Sequence, residues 1–413
     1  MDAVTAPPVA VPAGLTPIGT ASRSHTLRVI EDQRRFRPHI YWYMSFRCNL
    51  ACKHCSVFSS PWVDTSEDLS TEECMRVVDE MADLNVGFAI LTGGEVLLRP
   101  DALQIMAALA ERGIPVGLET NGLRFDDAFV ELARDLQRRK MLQIAVSLDG
   151  GTAETHERLR GPHSFRRTVH GLRMIAAHGV QFSVQCVLNR ANVETIPQLY
   201  ELGSELHPQM SLLQFSFLNP VGRGIELTRD LGLSGADIRR CFDLIGEHKG
   251  GYPGQTLIKG PPAMVPPQHL ALVFQNDGIR NGVSCQFPLL GVLPNGDVTI
   301  CAVSRDNQDL FFGNVREVSL KDVWQRTRMD MLRSRYAAAE HLDGICADCV
   351  WKYKCKGGCR AWAYQEGESF DAPLPICKKM DEDGEFPQAY RISHQNEVMT
   401  RKFQEMGGAC ACH

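Results

Sequence analysis

Between residues 39 and 250 the sequence passes six times through a short apolar stretch and then a segment of helical periodicity. The apolar stretches are 39–44, 87–91, 115–119, 143–146, 181–188 and 212–217. The helical segments fall at about 70–84, 101–112, 126–138, 164–178, 193–206 and 227–250. A strand followed by a helix and another strand favours parallel pairing, because the helix carries the chain back across the sheet. The expected fold class is therefore α/β, a parallel sheet with helices outside it. Six units fall short of the eight that close a full barrel. The first helix carries its own start signal, Ser70 followed by Glu72 and Glu73, a hydroxyl cap with acids in the first turn.

In barrel-like sheets the chemistry gathers where the strands end. The first apolar stretch ends in Cys48-x3-Cys52-x2-Cys55, and the second in Thr92-Gly93-Gly94-Glu95. The third ends in Thr120-Asn121-Gly122 and the fourth in Ser147-Leu148-Asp149. Glycine and asparagine turn chains everywhere, so each motif alone is weak. A carboxylate, an amide and a hydroxyl at the same edge as three thiols point to one site. Three thiols this close can wrap one side of a cuboidal iron–sulfur cluster and leave its fourth iron open to a ligand. Zinc is the alternative, with His54 inside the run as a fourth ligand.

Cysteine makes up 15 of 413 residues, and a second set lies near the C-terminus. Cys285 precedes a hairpin signalled by Asn295-Gly296, which leads to Cys301. Then come Cys346-x2-Cys349-x5-Cys355-x3-Cys359 and Cys377. A packed core needs no such density, so metal ligation is expected, with a zinc ribbon as the alternative. Cys74 and Cys241 sit within helical periodicity and read as core. Residues 1–35 read as a flexible leader and 36–250 as the barrel. The Gly/Pro-rich stretch 251–284 reads as a linker or covering loop. Residues 285–384 read as the cysteine-rich domain, and 385–413, with Cys410, Cys412 and His413, as a tail.

The formal net charge of −5 argues against a nucleic acid or an anionic membrane as partner. No apolar run is long enough to span a bilayer, and the N-terminus lacks the pattern of a secretory signal. Many thiols without an export signal suggest metal ligation in a reducing cytoplasm.

The Cys48-x3-Cys52-x2-Cys55 run, directly after an aromatic strand, resembles the signature of the radical S-adenosylmethionine (SAM) enzymes. The resemblance implies a (β/α)6 partial barrel, in agreement with the count of units. It also implies a [4Fe–4S] cluster whose open iron binds the amine and carboxylate of SAM. One electron then cleaves SAM to a 5′-deoxyadenosyl radical, which abstracts a substrate hydrogen. By the same resemblance Gly93, Gly94 and Glu95 meet the SAM amine, and Asn121 and Ser147 its ribose or carboxylate. Arg160 pairs with the carboxylate, with Arg158 as a competitor. Val187 and Leu188 lie by the adenine, and His54 beside the cluster. No catalytic acid or base is singled out.

The later cysteines resemble the SPASM extension of that family, which carries two auxiliary Fe–S clusters. Carried over, Cys285, Cys301 and Cys359 hold the first and Cys346, Cys349, Cys355 and Cys377 the second. Some members have a further cysteine where this chain has Ile279, so the first auxiliary cluster is expected to be open or to take a ligand such as Asp277 or a tail thiol. The resemblance implies an oxidoreductase or maturase. Its substrate would be a ribosomally made peptide that is crosslinked or oxidised, or else a small natural product, such as a sugar or aminoglycoside, that is dehydrogenated or epimerised. A non-catalytic Fe–S scaffold is disfavoured by the intact Gly-Gly-Glu motif. Expected partners are an electron donor such as flavodoxin or ferredoxin and a separate peptide-recognition protein.

Overall fold

The structure, a computed structural model, describes residues 37–274, 279–282, 289–325 and 339–395. Strand β1 (His39–Ser45) buries Ile40, Trp42 and Met44 on one side and Tyr43 on the other. Burial on both faces is what a parallel sheet under helices demands. Strands β2 (Phe88–Gly93), β3 (Val116–Thr120), β4 (Leu142–Ser147), β5 (Phe182–Leu188) and β6 (Met210–Phe217) follow, each parallel to the one before.

The helices between them bury one apolar stripe each. In the helix Asp127–Arg138 that stripe is Phe129, Val130, Ala133 and Leu136, the spacing of one helical face. Each fully buried Leu or Phe contributes about 1.5–3 kcal/mol. The helix Thr71–Asp83 starts as the sequence indicates. Glu73 N donates to Ser70 Oγ at 3.2 Å, and Ser70 N donates to the Glu73 carboxylate at 2.9 Å. Two helical readings change. The expected helix 227–250 is two helices, Gly224–Leu231 and Gly235–Lys249, because Ser234 caps the second. A helix at Ala153–Arg160 was not anticipated.

The stretch read as a linker is partly sheet. Strand β7 (Gln255–Lys259) pairs parallel with β6, and β8 (Ile279–Gly282) pairs parallel with β7. The alternation in β7 is only five residues long and is flanked by Gly and Pro, which disguise it. On the other side β9 (Leu289–Val292) runs parallel to β1, and β10 (Asp297–Thr299) and β11 (Phe311–Asn314) add antiparallel. The C-terminal segment thus extends the barrel sheet at the β1 edge. The turn before β10 has the expected Asn-Gly chemistry, with Gly296 at φ +88°.

Residues 385–395, expected as tail, pack on the body. Tyr390 is buried, and its hydroxyl donates to Val265 O at 2.7 Å. The expected leader, Asp277, Cys285, Cys410, Cys412 and His413 lie outside the described residues. Among the described residues no helix is long and apolar enough to cross a membrane.

Candidate active site

The C-terminal ends of the parallel strands converge on a cavity of about 310 Å³, lined by Cys48, Cys52 and Cys55. Cys55 N donates to Cys52 O at 3.2 Å, which closes a tight turn. Leu50 N donates to Cys48 Sγ at 3.4 Å, and Ser59 N to Cys55 Sγ at 3.3 Å. Such donors favour the thiolate. Burial works the other way and pushes the Cys48 thiol up to about 12, and Cys52 up as well. A bound iron ion settles that contest, because a coordinating thiol loses its proton outright.

Two arginines hold this loop. Arg223 Nε donates to Cys52 O at 2.8 Å, and its Nη2 donates to Ser59 O at 2.6 Å. Arg305 Nη1 donates to Val57 O at 2.8 Å, and its guanidinium stacks over Phe46 and Phe58 at 4.9 and 5.2 Å. Sequence reasoning missed both. They are single charges in loops without a motif, and only packing reveals them.

Gly93 and Gly94 line the cavity and also let β2 press on the entry to the cysteine loop. Gly94 N donates to Ser45 O at 2.7 Å and Glu95 N to Arg47 O at 3.0 Å. A Cβ on Gly93 would strike Ser45 O, and one on Gly94 would strike Arg47 O. Asn121 and Ser147 also line the cavity. Asn121 Nδ2 donates to Asn49 Oδ1 at 2.7 Å and lies 3.8 Å from Cys48 Sγ.

Two expected contacts fall elsewhere. Glu95, read as facing a ligand amine, is buried behind the cavity wall. Its carboxylate accepts from Thr120 Oγ1 at 2.8 Å, Asn121 N at 2.9 Å and Leu97 N at 3.2 Å. Burial raises its pKa. Glu119, one strand over, lines the cavity instead and accepts from Thr92 Oγ1 at 2.7 Å. Leu188 is packed into the core while Val187 lines the cavity, because neighbours on a strand face opposite ways.

Arg160 lines the cavity, whereas Arg158 is exposed and does not. Arg160 Nε donates to Asp149 Oδ2 at 2.5 Å, and its Nη1 lies 4.0 Å from Cys52 Sγ. Asp149 also meets His54 Nε2 at 3.1 Å and accepts from Val187 N at 2.7 Å. Burial alone would raise Asp149, but Arg160 and His54 outweigh it and hold the carboxyl well below the usual range. His156 Nδ1 accepts from Asp149 N at 3.1 Å. Burial, then Arg160, lowers its pKa to about 3, so the ring is neutral. Asp149 was visible only as part of a strand-end motif, and nothing local distinguishes its role.

A second cavity, of about 220 Å³, shares Phe217, Asn219 and Val221 with the first. Cys301 and Cys359 line it, with Tyr41, Tyr43 and Trp362. A third, small cavity is lined by Cys346, Cys349, Cys355 and Cys377. Burial pushes Cys301 and Cys355 up to about 12 and Cys349 up to about 11. None of the described cysteines is disulfide-bonded. Among the described residues no three His, Cys, Asp or Glu side chains close on a single metal ion. Thiols arranged around cavities suit a cluster of several irons better than one tetrahedral zinc.

Fold and site together define a partial-barrel protein with a thiol-lined cavity at its strand ends and further buried thiols behind it. The radical SAM superfamily matches residues 42–203, and the SPASM iron-sulfur cluster-binding domain matches residues 285–350. The chain belongs to the radical SAM enzymes that carry a C-terminal SPASM domain, and its cofactors are SAM and iron–sulfur clusters.

An AdoMet-dependent heme synthase of Methanosarcina barkeri is 29% identical over 351 residues, 82% of this chain and 95% of that protein. The mycofactocin maturase MftC of Mycobacterium tuberculosis is 28% identical over 340 residues, 81% of each chain. Among solved structures, Streptococcus suis SuiB bound to its precursor peptide SuiA has a TM-score of 0.65 at 17% identity, covering 85% of this chain and 78% of SuiB. The enzyme anSMEcpe with bound AdoMet and a peptide has a TM-score of 0.59 at 20% identity, covering 84% of this chain and 96% of its own. At these identities the structures speak for the fold alone.

Proposed function

We propose that this enzyme matures a ribosomally synthesised peptide by oxidative crosslinking or side-chain modification. The observation that carries the reading is the shared wall of the two larger cavities, made of Phe217, Asn219 and Val221. A substrate residue held there lies between the Cys48/Cys52/Cys55 cavity and the Cys301/Cys359 cavity. Hydrogen is removed on the first side and an electron leaves on the other. A peptide substrate is supported by the mycofactocin maturase among the relatives.

In this reading Cys48, Cys52 and Cys55 hold the SAM-binding cluster. Cys301 and Cys359, with Cys285, hold the first auxiliary cluster, and Cys346, Cys349, Cys355 and Cys377 the second. When bound, the first cluster supplies the electron that cleaves SAM to a hydrogen-abstracting radical. Gly93, Gly94, Asn121, Ser147 and Arg160 position SAM, with Val187 by the adenine. The Asp149–His54–Arg160 network keeps Arg160 from swinging away, and Phe217 and Val57 exclude water from the cavity. An electron donor such as flavodoxin or ferredoxin would supply electrons, and a separate protein would present the peptide, in the cytoplasm.

A second reading, action on a small molecule, is favoured by the heme synthase relative and by a Fe-coproporphyrin III synthase 28% identical over 375 residues. Mass spectrometry of cells with and without the gene tests the choice. A peptide lacking two hydrogens relative to its encoded mass, seen only with the gene, supports maturation. A change confined to small molecules replaces it with the second reading.

A further inference from the structure

The wall of the second cavity is built mainly from aromatic rings, aliphatic side chains and thiols, among them Tyr41, Tyr43, Met264 and Trp362, with one amide, Asn219. Among its described residues one side chain, Lys259, carries a formal charge at neutral pH. Lys259 ends β7, and its Cα partner across the sheet is Ser216, which lines the first cavity. Parallel register partners face the same side of the sheet, so the Lys259 side chain faces the interior on the wall of the second cavity, beside the strand that also walls the first. It is half-buried, and among the described residues it makes no ion pair or hydrogen bond. Glu119, the carboxylate on the wall of the first cavity, is bonded to Thr92.

A charged amine beside apolar surface loses hydration and recovers it only from an anionic or strongly accepting partner. We infer that Lys259 anchors a carboxylate of the substrate in the second cavity, with the adjoining aromatic or aliphatic group packed against Tyr41, Tyr43, Met264 and Trp362. The inference rests on reading that cavity as substrate space. The competing role is counter-ion to a cluster at Cys301 and Cys359. A counter-ion tunes the cluster's potential and is indifferent to the charge of the substrate.

The test uses the anaerobic, cluster-loaded enzyme with SAM and three probes, N-acetyl-L-tyrosine, its amide, and N-acetyl-L-glutamyl-L-tyrosinamide. Binding is read by ligand-observed NMR in wild type, Lys259→Met and Lys259→Arg. A charge-assisted hydrogen bond predicts that wild type binds an acid roughly ten- to a hundred-fold more tightly than the uncharged amide. Lys259→Met should remove that preference and leave amide binding unchanged, and Lys259→Arg should keep most of it. Loss for N-acetyltyrosine assigns the site to a terminal carboxylate, and loss for the glutamyl probe assigns it to an acidic side chain. Equal binding of acid and amide by wild type overturns the proposal. So does a preference that survives in Lys259→Met, or a shifted auxiliary-cluster potential with unchanged probe binding. Iron content checks that each variant is loaded, and Lys259→Gln replaces a variant that is not. The readout needs no product. An acid preference without any altered peptide in cells leaves Lys259 standing and removes only the peptide reading.

Discussion

Arg160 and Asp149 form one buried ion pair, Nε to Oδ2 at 2.5 Å, with the far side of the guanidinium 4.0 Å from Cys52 Sγ. The pair fixes an arginine that would otherwise be a charge loose in a cavity. Asp149→Asn keeps the shape and removes the charge, leaving Arg160 buried and uncompensated. Breaking one side of a buried pair costs about 3–5 kcal/mol, so urea unfolding should show a loss of that order. SAM affinity should fall with it. A variant as stable as wild type would show that Arg160 finds another anion.

The three thiols after β1 and those of the C-terminal segment line different cavities. Replacing Cys48, Cys52 and Cys55 together by alanine should remove one cluster's iron and all 5′-deoxyadenosine formation under dithionite. The iron–sulfur absorbance of the auxiliary sites should persist. Residual SAM cleavage in the triple variant would dismiss this loop as the SAM-binding site.

Glu95→Gln tests burial against ligand contact. The carboxylate accepts from three donors and lies off the cavity wall. The amide presents an NH2 group to donors that need acceptors, at a cost of about 1–3 kcal/mol. Chemical denaturation should report that loss, with SAM affinity of the folded fraction nearly unchanged. A large fall in affinity at unaltered stability would return Glu95 to the ligand.

His156 gives the fold a pH dependence. In the folded state its pKa is about 3 against an ordinary 6.5. Below the ordinary value the unfolded chain takes up a proton that the folded chain refuses. The neutral ring's contribution is therefore whole above about pH 6.5 and declines as pH falls toward about 3. The slope is about 1.4 kcal/mol per pH unit for one proton. Unfolding free energies should begin to fall below about pH 7, approach this slope between about pH 5.5 and pH 4 in wild type, and lack it in His156→Gln. Identical slopes in both proteins would show that His156 is protonated in the fold.

The alternation from 39 to 217, the cap at Ser70 and the Asn295-Gly296 turn were legible because each is a property of neighbouring residues. The cysteine spacings were legible for the same reason, since ligands of one cluster can be close in sequence. β7 was not, because a five-residue alternation between glycines and prolines carries too little periodicity. Which acid faces the cavity was also hidden. Glu95 and Glu119 both end strands, and the choice depends on pleat direction and on donors from Thr120 and Asn121. Arg223 reaches Cys52 across 171 residues, and Arg305 reaches Val57 across 248. Spacing along the chain set the fold class and the thiol sets. The placement of single charges, Asp149 under Arg160 and Lys259 on the wall of the second cavity, was decided by tertiary packing, because each depends on partners or walls from distant segments.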